Sequence, residues 1–185
     1  DIDLGGGNLL GRWQHDFKGG AATTLQLYYD RTERRDVNFR EDRDTFEVDF
    51  QHRLLFGAHE VVWGLGYRVS SGDAETVAAL DLVPSRRTNH LVSGYLQDEW
   101  SLLDNRLRLI AGSKIEWNDY SGVEYQPNAR VLFMPEPRHV VWGAISRAVR
   151  TPSRIEQDLT ADALIDPATP TFVRLIGDGR FQSET

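Results

Sequence analysis

The chain contains no cysteine and only one methionine in 185 residues. Without thiols, a disulfide framework, a thiolate metal site and a cysteine nucleophile are all excluded. It also lacks any apolar run near the ~18 residues that a membrane helix needs. The amino end, DIDLGGGNLLGRW, has neither the basic nor the apolar region of a signal peptide. Basic charge is in deficit, with 21 Lys plus Arg against 28 Asp plus Glu and a formal net charge of −7. Binding phosphate backbones requires a basic footprint, so nucleic acid is not an expected partner.

None of these absences excludes a membrane β-barrel, whose strands alternate apolar and polar residues and stay polar on average. What the sequence does have is aromatic residues, with five Trp, six Tyr and eight Phe. It also has alternation. Eight strand-like segments follow a period of two: Leu9–Phe17, Thr23–Thr32, Thr45–Phe56, Val61–Ser70, His90–Leu103, Leu107–Asn118, Tyr125–Met134, and one beginning at His139. The third is the clearest, setting Phe46, Val48, Phe50, His52, Leu54 and Phe56 against Glu47, Asp49, Gln51 and Arg53.

The connections carry as much information as the strands. In order they read tight, long (Glu33–Arg43), tight, long (Ser71–Asn89), tight, medium (Asp119–Glu124), tight and very long (after Arg150). In an up-and-down sheet this places every tight turn at one end and every long loop at the other. A soluble sandwich has no reason to segregate loop lengths, because both its ends meet the same water, whereas an outer-membrane barrel does so. The expected fold is therefore all-β: an antiparallel up-and-down meander of about eight strands, part of a transmembrane β-barrel. The alternative is a soluble β-sheet or β-sandwich binding module. A closed eight-stranded barrel would require a ladder between the first and eighth strands.

Faces follow from solvent. Charge on the lipid side is unfavourable by roughly 2–4 kcal/mol for a midplane Arg or Lys. Phe46, Val48, Phe50, Trp63, Leu65, Leu109 and Trp142 are thus expected to face lipid, with Val140 and Ala144 beside Trp142. Glu47, Asp49, Arg53, Arg68, Arg108, Lys114 and Glu116 are expected to face a wet interior. Trp13, Phe56, Trp63, Trp100 and Trp142 lie near the tight turns, where an aromatic belt belongs. Asp98 shares a face with Leu96 and Trp100 and is placed near the interface. Within Ser71–Asn89, AETVAALDLV suits a short helix ended by Pro84.

Catalytic and metal chemistry find little support. The five histidines show no ligand spacing, and no nucleophile and base fall into a recognisable arrangement. The acidic stretches Ser70–Glu75 and Thr160–Thr169 lack the ordered spacing of a calcium loop. Gly5-Gly6-Gly7 is a glycine run without the lysine of a phosphate loop. No enzyme, metal site or cofactor is expected.

Three segments carry a family resemblance. SRAVRTPSRIEQDL (Ser146–Leu159) resembles the R-x-P-[ST] segment of TonB-dependent receptors. YLQDEWSLLDNRLRLIAGSKIEW (Tyr95–Trp117) is similar to another of their shared segments, and the closing FQSET resembles their F-x-S-E. The resemblance implies a barrel of 22 strands around a plug that binds TonB in the Gram-negative outer membrane. It also implies import of a scarce ligand such as a ferric siderophore or cobalamin, driven through the TonB complex. On this reading residues 1–185 are an internal sector of the barrel, with the plug and the C-terminal strands absent. Arg147, Arg150 and Arg154, beside Pro152 at the wet mouth, are the candidate ligand-binding residues, since guanidinium groups fork onto anionic ligands. The alternative for them is pairing with Glu156, Asp158 or wall carboxylates.

Overall fold

A computed structural model describes residues 2–37, 39–76, 80–136, 138–166 and 171–185. Eight long strands form one antiparallel meander: β1 (Asp3–Asp16), β2 (Ala22–Arg35), β3 (Phe39–Phe56), β4 (His59–Thr76), β6 (Arg86–Leu102), β7 (Leu107–Asn118), β8 (Gly122–Glu136) and β9 (His139–Ser146). A short β5 (Leu80–Leu82) leaves the meander between β4 and β6. It pairs with β10 (Leu159–Asp166), which pairs with β11 (Thr171–Ile176), in a separate three-stranded sheet. A helix, α1 (Arg154–Asp158), links β9 to that sheet.

Residues directly opposite each other in an antiparallel pair share a face, so the alternation of each strand propagates sideways. One rung runs Trp13, Leu25, Phe50, Leu65, Gly94, Ile115 and Tyr125 across seven strands. Each residue is followed or preceded by one on the opposite face, and that rung reads Arg12, Gln26, Asp49, Gly66, Ser93, Glu116 and Glu124. The sheet has one apolar and one polar side. Phe46, Val48, Phe50, Trp63, Leu65 and Leu109 lie on the first, and Glu47, Asp49, Arg53, Arg68, Arg108, Lys114 and Glu116 on the second, as expected.

Among the described residues, no element packs on the apolar side. Among the described residues the buried apolar side chains are Ala74, near the end of β4, and Leu82 in β5, while Leu65 is 59% exposed. A sandwich would lay a second sheet on that face, so its bareness argues against the soluble reading. No ladder among the described residues joins β1 to β9, so the meander is an open sector and not a closed eight-stranded barrel.

Trp142 is corrected by the register. Trp142 stands opposite Leu132, which stands opposite Arg108, and Ala144 stands opposite Arg130. The apolar side of β9 is therefore Val141, Gly143 and Ile145, while Val140, Trp142 and Ala144 take the polar side. Both faces of β9 are apolar in sequence, so alternation had nothing to choose between, and a slip of one residue exchanges the faces. The choice is made by pairing with β8, where a bulge falls between Phe133 and Glu136.

The ends of the sheet also differ from expectation. Glu33–Arg43 is not a loop throughout: β2 continues to Arg35 and β3 begins at Phe39. Ion pairs line that extension, including Arg35 Nη1 to Asp42 Oδ1 at 2.6 Å and Arg31 Nε to Glu33 Oε1 at 2.8 Å. The charged residues are rungs standing clear of the apolar band. The helix expected in AETVAALDLV is absent from its described part, which is the end of β4 and then β5; residues 77–79 lie outside the described residues. The segment after Arg150, expected to be loop-like, contains α1 and the β10–β11 hairpin.

At the tight-turn end an aromatic and histidine belt runs along the apolar side. Trp13 stacks on His15, His15 meets the edge of Phe17, and His52 lies between Phe17 and Trp63. His59 stacks between Phe56 and Trp100, and its Nδ1 is 2.8 Å from Asp98 Oδ2. That contact explains how a carboxylate is accommodated on the apolar side: a histidine from the adjacent turn meets it.

The β9 register makes a direct prediction for the folded barrel in lipid vesicles. Ile145→Glu should lower unfolding stability by roughly 1–2 kcal/mol, below the ~2–4 kcal/mol of a midplane Arg. Ala144→Glu, opposite Arg130, should change it by less than about 0.5 kcal/mol. Denaturant titration by tryptophan fluorescence checks both, and equal losses would contradict the register.

Candidate functional site

The connection that leaves β9 folds back over the polar side of the sheet and covers a basin at its long-loop end. Its local structure follows from a few residues. Pro152 has no N–H to extend a ladder. Ser153 then caps α1: its hydroxyl accepts from the Glu156 N–H at 3.4 Å, while its own N–H donates to Glu156 Oε2 at 2.7 Å. This capping box satisfies two otherwise orphaned backbone donors.

Arg150 fastens the turn. Its guanidinium forks onto Glu156, at 2.7 and 3.2 Å, and its Nε donates to Glu184 at 3.1 Å. The backbones of Arg150 and Glu184 also exchange two hydrogen bonds, at 2.9 and 3.0 Å. The R-x-P-S and F-x-S-E segments therefore meet, and together they close the excursion between them. The Arg150 guanidinium, helped by the Ser153 N–H and hydroxyl, holds the Glu156 carboxyl down to about 2, and the two carboxylates raise Arg150 in turn. Gly177 passes over the end of α1, donating to the Leu159 carbonyl at 2.6 Å; a Cβ there would lie 2.7 Å from the Gln157 carbonyl.

Beneath this lid lies a cavity of about 360 Å³. Arg43, Arg68, Arg87 and Arg154 line it, with Tyr120 and Asn118, and none of its lining residues is acidic. Three of these cations are paired with carboxylates: Arg43 with Glu41, Arg68 with Glu47 at 2.7 Å, and Arg87 with Asp158. Arg154 approaches Asp158 at 3.6 Å and Glu41 at 3.9 Å, and donates to the Pro84 carbonyl at 2.9 Å. The Arg87 guanidinium lies 4.7 Å from the centre of the Tyr120 ring. Burial pushes the Tyr120 hydroxyl above its ordinary range, partly opposed by Arg87. The arrangement offers forked cationic donors and an aromatic ring to a small anionic group.

The three arginines singled out from sequence are not brought together. Arg154 lines the basin and is mostly buried. Arg150 is committed to Glu156 and Glu184. Arg147 has its N–H on the Pro127 carbonyl, continuing the outward side of β9, and its guanidinium donates to the Tyr125 carbonyl. Sequence reasoning missed Arg43, Arg68 and Arg87 as partners in one site. Their shared polar-side parity was a usable signal for Arg68, but the others lay in stretches taken to be loops. The acidic stretches that lack calcium-loop spacing hold Asp73, 2.7 Å from Arg86, and Asp162, 2.6 Å from Arg174.

The family described as TonB dependent receptor-like, beta-barrel, matches residues 2–185. No curated protein matches the sequence. Two similar solved structures are siderophore receptors named PirA. The one from Pseudomonas aeruginosa is 14% identical with a TM-score of 0.70, covering 95% of this chain and 34% of that one. The one from Acinetobacter baumannii is 12% identical with a TM-score of 0.72, covering 95% and 31%. At these identities the likeness is one of fold, and the chain spans about a third of either receptor's length.

The clamp has a pH signature. Because the Glu156 carboxyl is lowered in the folded protein to about 2 from an ordinary 4.5, its contribution is complete above about pH 4.5 and is lost as pH falls towards 2. Hydrogen exchange at the Ser153 amide should remain slow at pH 4, after correction for intrinsic rates, and quicken towards pH 2. Glu156→Gln should remove that step.

Proposed function

The chain belongs to the TonB-dependent receptor-like β-barrel family, and from that premise we propose that it is one sector of the wall of an outer-membrane import receptor. On this reading residues 1–185 are a barrel fragment whose plug and remaining strands are supplied elsewhere. The bare apolar side faces outer-membrane lipid, the aromatic belt lies at the tight-turn interface on the periplasmic side, and the basin opens towards the outside of a Gram-negative cell. Import is energised by the TonB complex acting on the plug. The protein performs no catalytic step.

The observation that carries the choice of ligand is the basin itself, where four arginines and no acidic residue line a cavity of about 360 Å³ at the outer mouth. A small anionic metal chelate of the siderophore type fits those donors better than cobalamin does, because paired guanidinium groups favour carboxylate-like oxygens. The names of the two structural neighbours point in the same direction. Arg154 meets the ligand with Arg43 and Arg68. Arg150 and Arg147 support it indirectly, the first by closing the loop and the second by tying the end of β9 to β8.

Uptake and equilibrium binding by the intact receptor test this directly. Losing one charge-assisted hydrogen bond corresponds to roughly 1.5–3 kcal/mol, or about 10–100-fold in affinity. Arg154→Ala and the Arg43→Gln, Arg68→Gln double variant should each weaken binding of a ferric siderophore within that range. Arg150→Ala should reduce uptake less, and Arg147→Ala should leave affinity close to wild type. Unchanged affinity in the double variant would remove the basin from the ligand path.

A further inference from the structure

The cations of the basin are neutralised in two different ways. Arg43 and Arg68 are matched by Glu41 and Glu47, which stand on β3 and belong to the wall. Arg87, on β6, is matched by Asp158, which belongs to the lid and lies 71 residues further along the chain. The Asp158 side chain is 6% exposed and reaches between Arg87 and Arg154. Only one of its oxygens is hydrogen-bonded. Oδ2 has no partner and stands 3.6 Å from Arg154 Nε, which has none either.

A buried carboxylate oxygen and a buried guanidinium nitrogen that face one another without bonding are unusual in a settled ion pair. A free carboxylate could approach both guanidinium groups at hydrogen-bonding distance, whereas Asp158 is restrained by its short side chain and by α1. Both guanidinium groups of the subsite are already held in place. Arg87 is held by Asn89 Oδ1 at 3.2 Å and by the Tyr120 ring, and Arg154 by the Pro84 carbonyl. The cavity beside it has space for the remainder of a ligand against Arg43 and Arg68.

We infer that Asp158 is a built-in occupant of an anion subsite between Arg87 and Arg154, and that a small polycarboxylate ligand displaces it and loosens the C-terminal end of α1 while Arg154 stays held by the Pro84 carbonyl. This rests on the reading that ligand enters at the basin. The exchange breaks no covalent bond: one carboxylate replaces another, and the end of α1 loosens because its ion pair is gone, leaving the longer Gln157 contacts, at 3.4 Å to Arg87 and 3.4 Å to the Tyr120 carbonyl. Two consequences follow. The empty receptor keeps its mouth covered by its own carboxylate, and ligands with fewer or weaker anionic arms compete poorly against a tethered group.

The test uses the intact receptor in lipid nanodiscs, with metal-free propane-1,2,3-tricarboxylate as probe at constant ionic strength. In the wild type, the amides of residues 154–159 should exchange faster when the probe is bound. Asp158→Asn removes the competing charge and keeps the shape; if the occupied state leaves the subsite open about a tenth of the time, the variant should bind about tenfold more tightly. Arg87→Gln should abolish the gain. To separate loss of charge from loosening of the whole lid, Asp158→Glu is measured alongside it and should retain wild-type affinity. No binding of the probe, unchanged or slower exchange at 154–159, or equal or weaker binding by Asp158→Asn would each overturn the inference. Those results would leave the import reading standing, which fails separately if the intact receptor takes up no chelate.

Discussion

The rest of the structure depends on one constraint: side chains on a β-strand change face at every residue, and antiparallel pairing carries that alternation from strand to strand. Once β3 places Phe46, Val48 and Phe50 on one side, the register obliges Leu25, Leu65, Ile115 and Tyr125 to join them. The same step gathers Asp49, Glu116 and Glu124 on the other side. A wall between lipid and water needs that separation, because unpaired charge is unfavourable in hydrocarbon and every backbone N–H and C=O there must be bonded within the sheet. Stability in such a wall comes from the ladder and the surrounding solvent, which is why so little apolar surface is buried within the chain itself.

The layer outside the apolar band follows different rules. There water is available, and ion pairs and caps replace apolar rungs. Arg150, with Ser153 after Pro152, caps a helix and fastens the excursion to Glu184. Their combined effect is to hold α1 across the inner wall, bringing Arg154 and Asp158 over cations carried by β3, β4 and β6. The site is thus composed of wall residues fixed by register and lid residues fixed by one closure.

Much of the wall was legible in the sequence because its signal is local and periodic. Strands β3, β4 and β7 show clean alternation, and a single assignment of each face is sufficient. Strand β9 was not legible in that respect: Val140, Val141, Trp142, Ala144 and Ile145 are apolar on both faces, and only pairing with β8 distinguishes them. Glu33–Arg43 misled for a related reason, since charge was taken as loop when a water-exposed hairpin carries charge equally well. The basin was the least legible part. Arg154 was found through its motif, but its neighbours Arg43 and Arg87 are remote in sequence, and proximity between residues so far apart leaves no local pattern.

The two-sidedness of the sheet in a membrane is the central claim, and the absence of cysteine from these 185 residues helps make it measurable. Single cysteines introduced in turn along β7, from Leu107 to Asn118, can carry a nitroxide label in the intact receptor in lipid bilayers. Collision with oxygen should be high at 109, 111, 113 and 115, and collision with a water-soluble nickel chelate should be high at 108, 110, 112 and 114. Equal accessibility to the nickel chelate on both faces would contradict a lipid-facing wall.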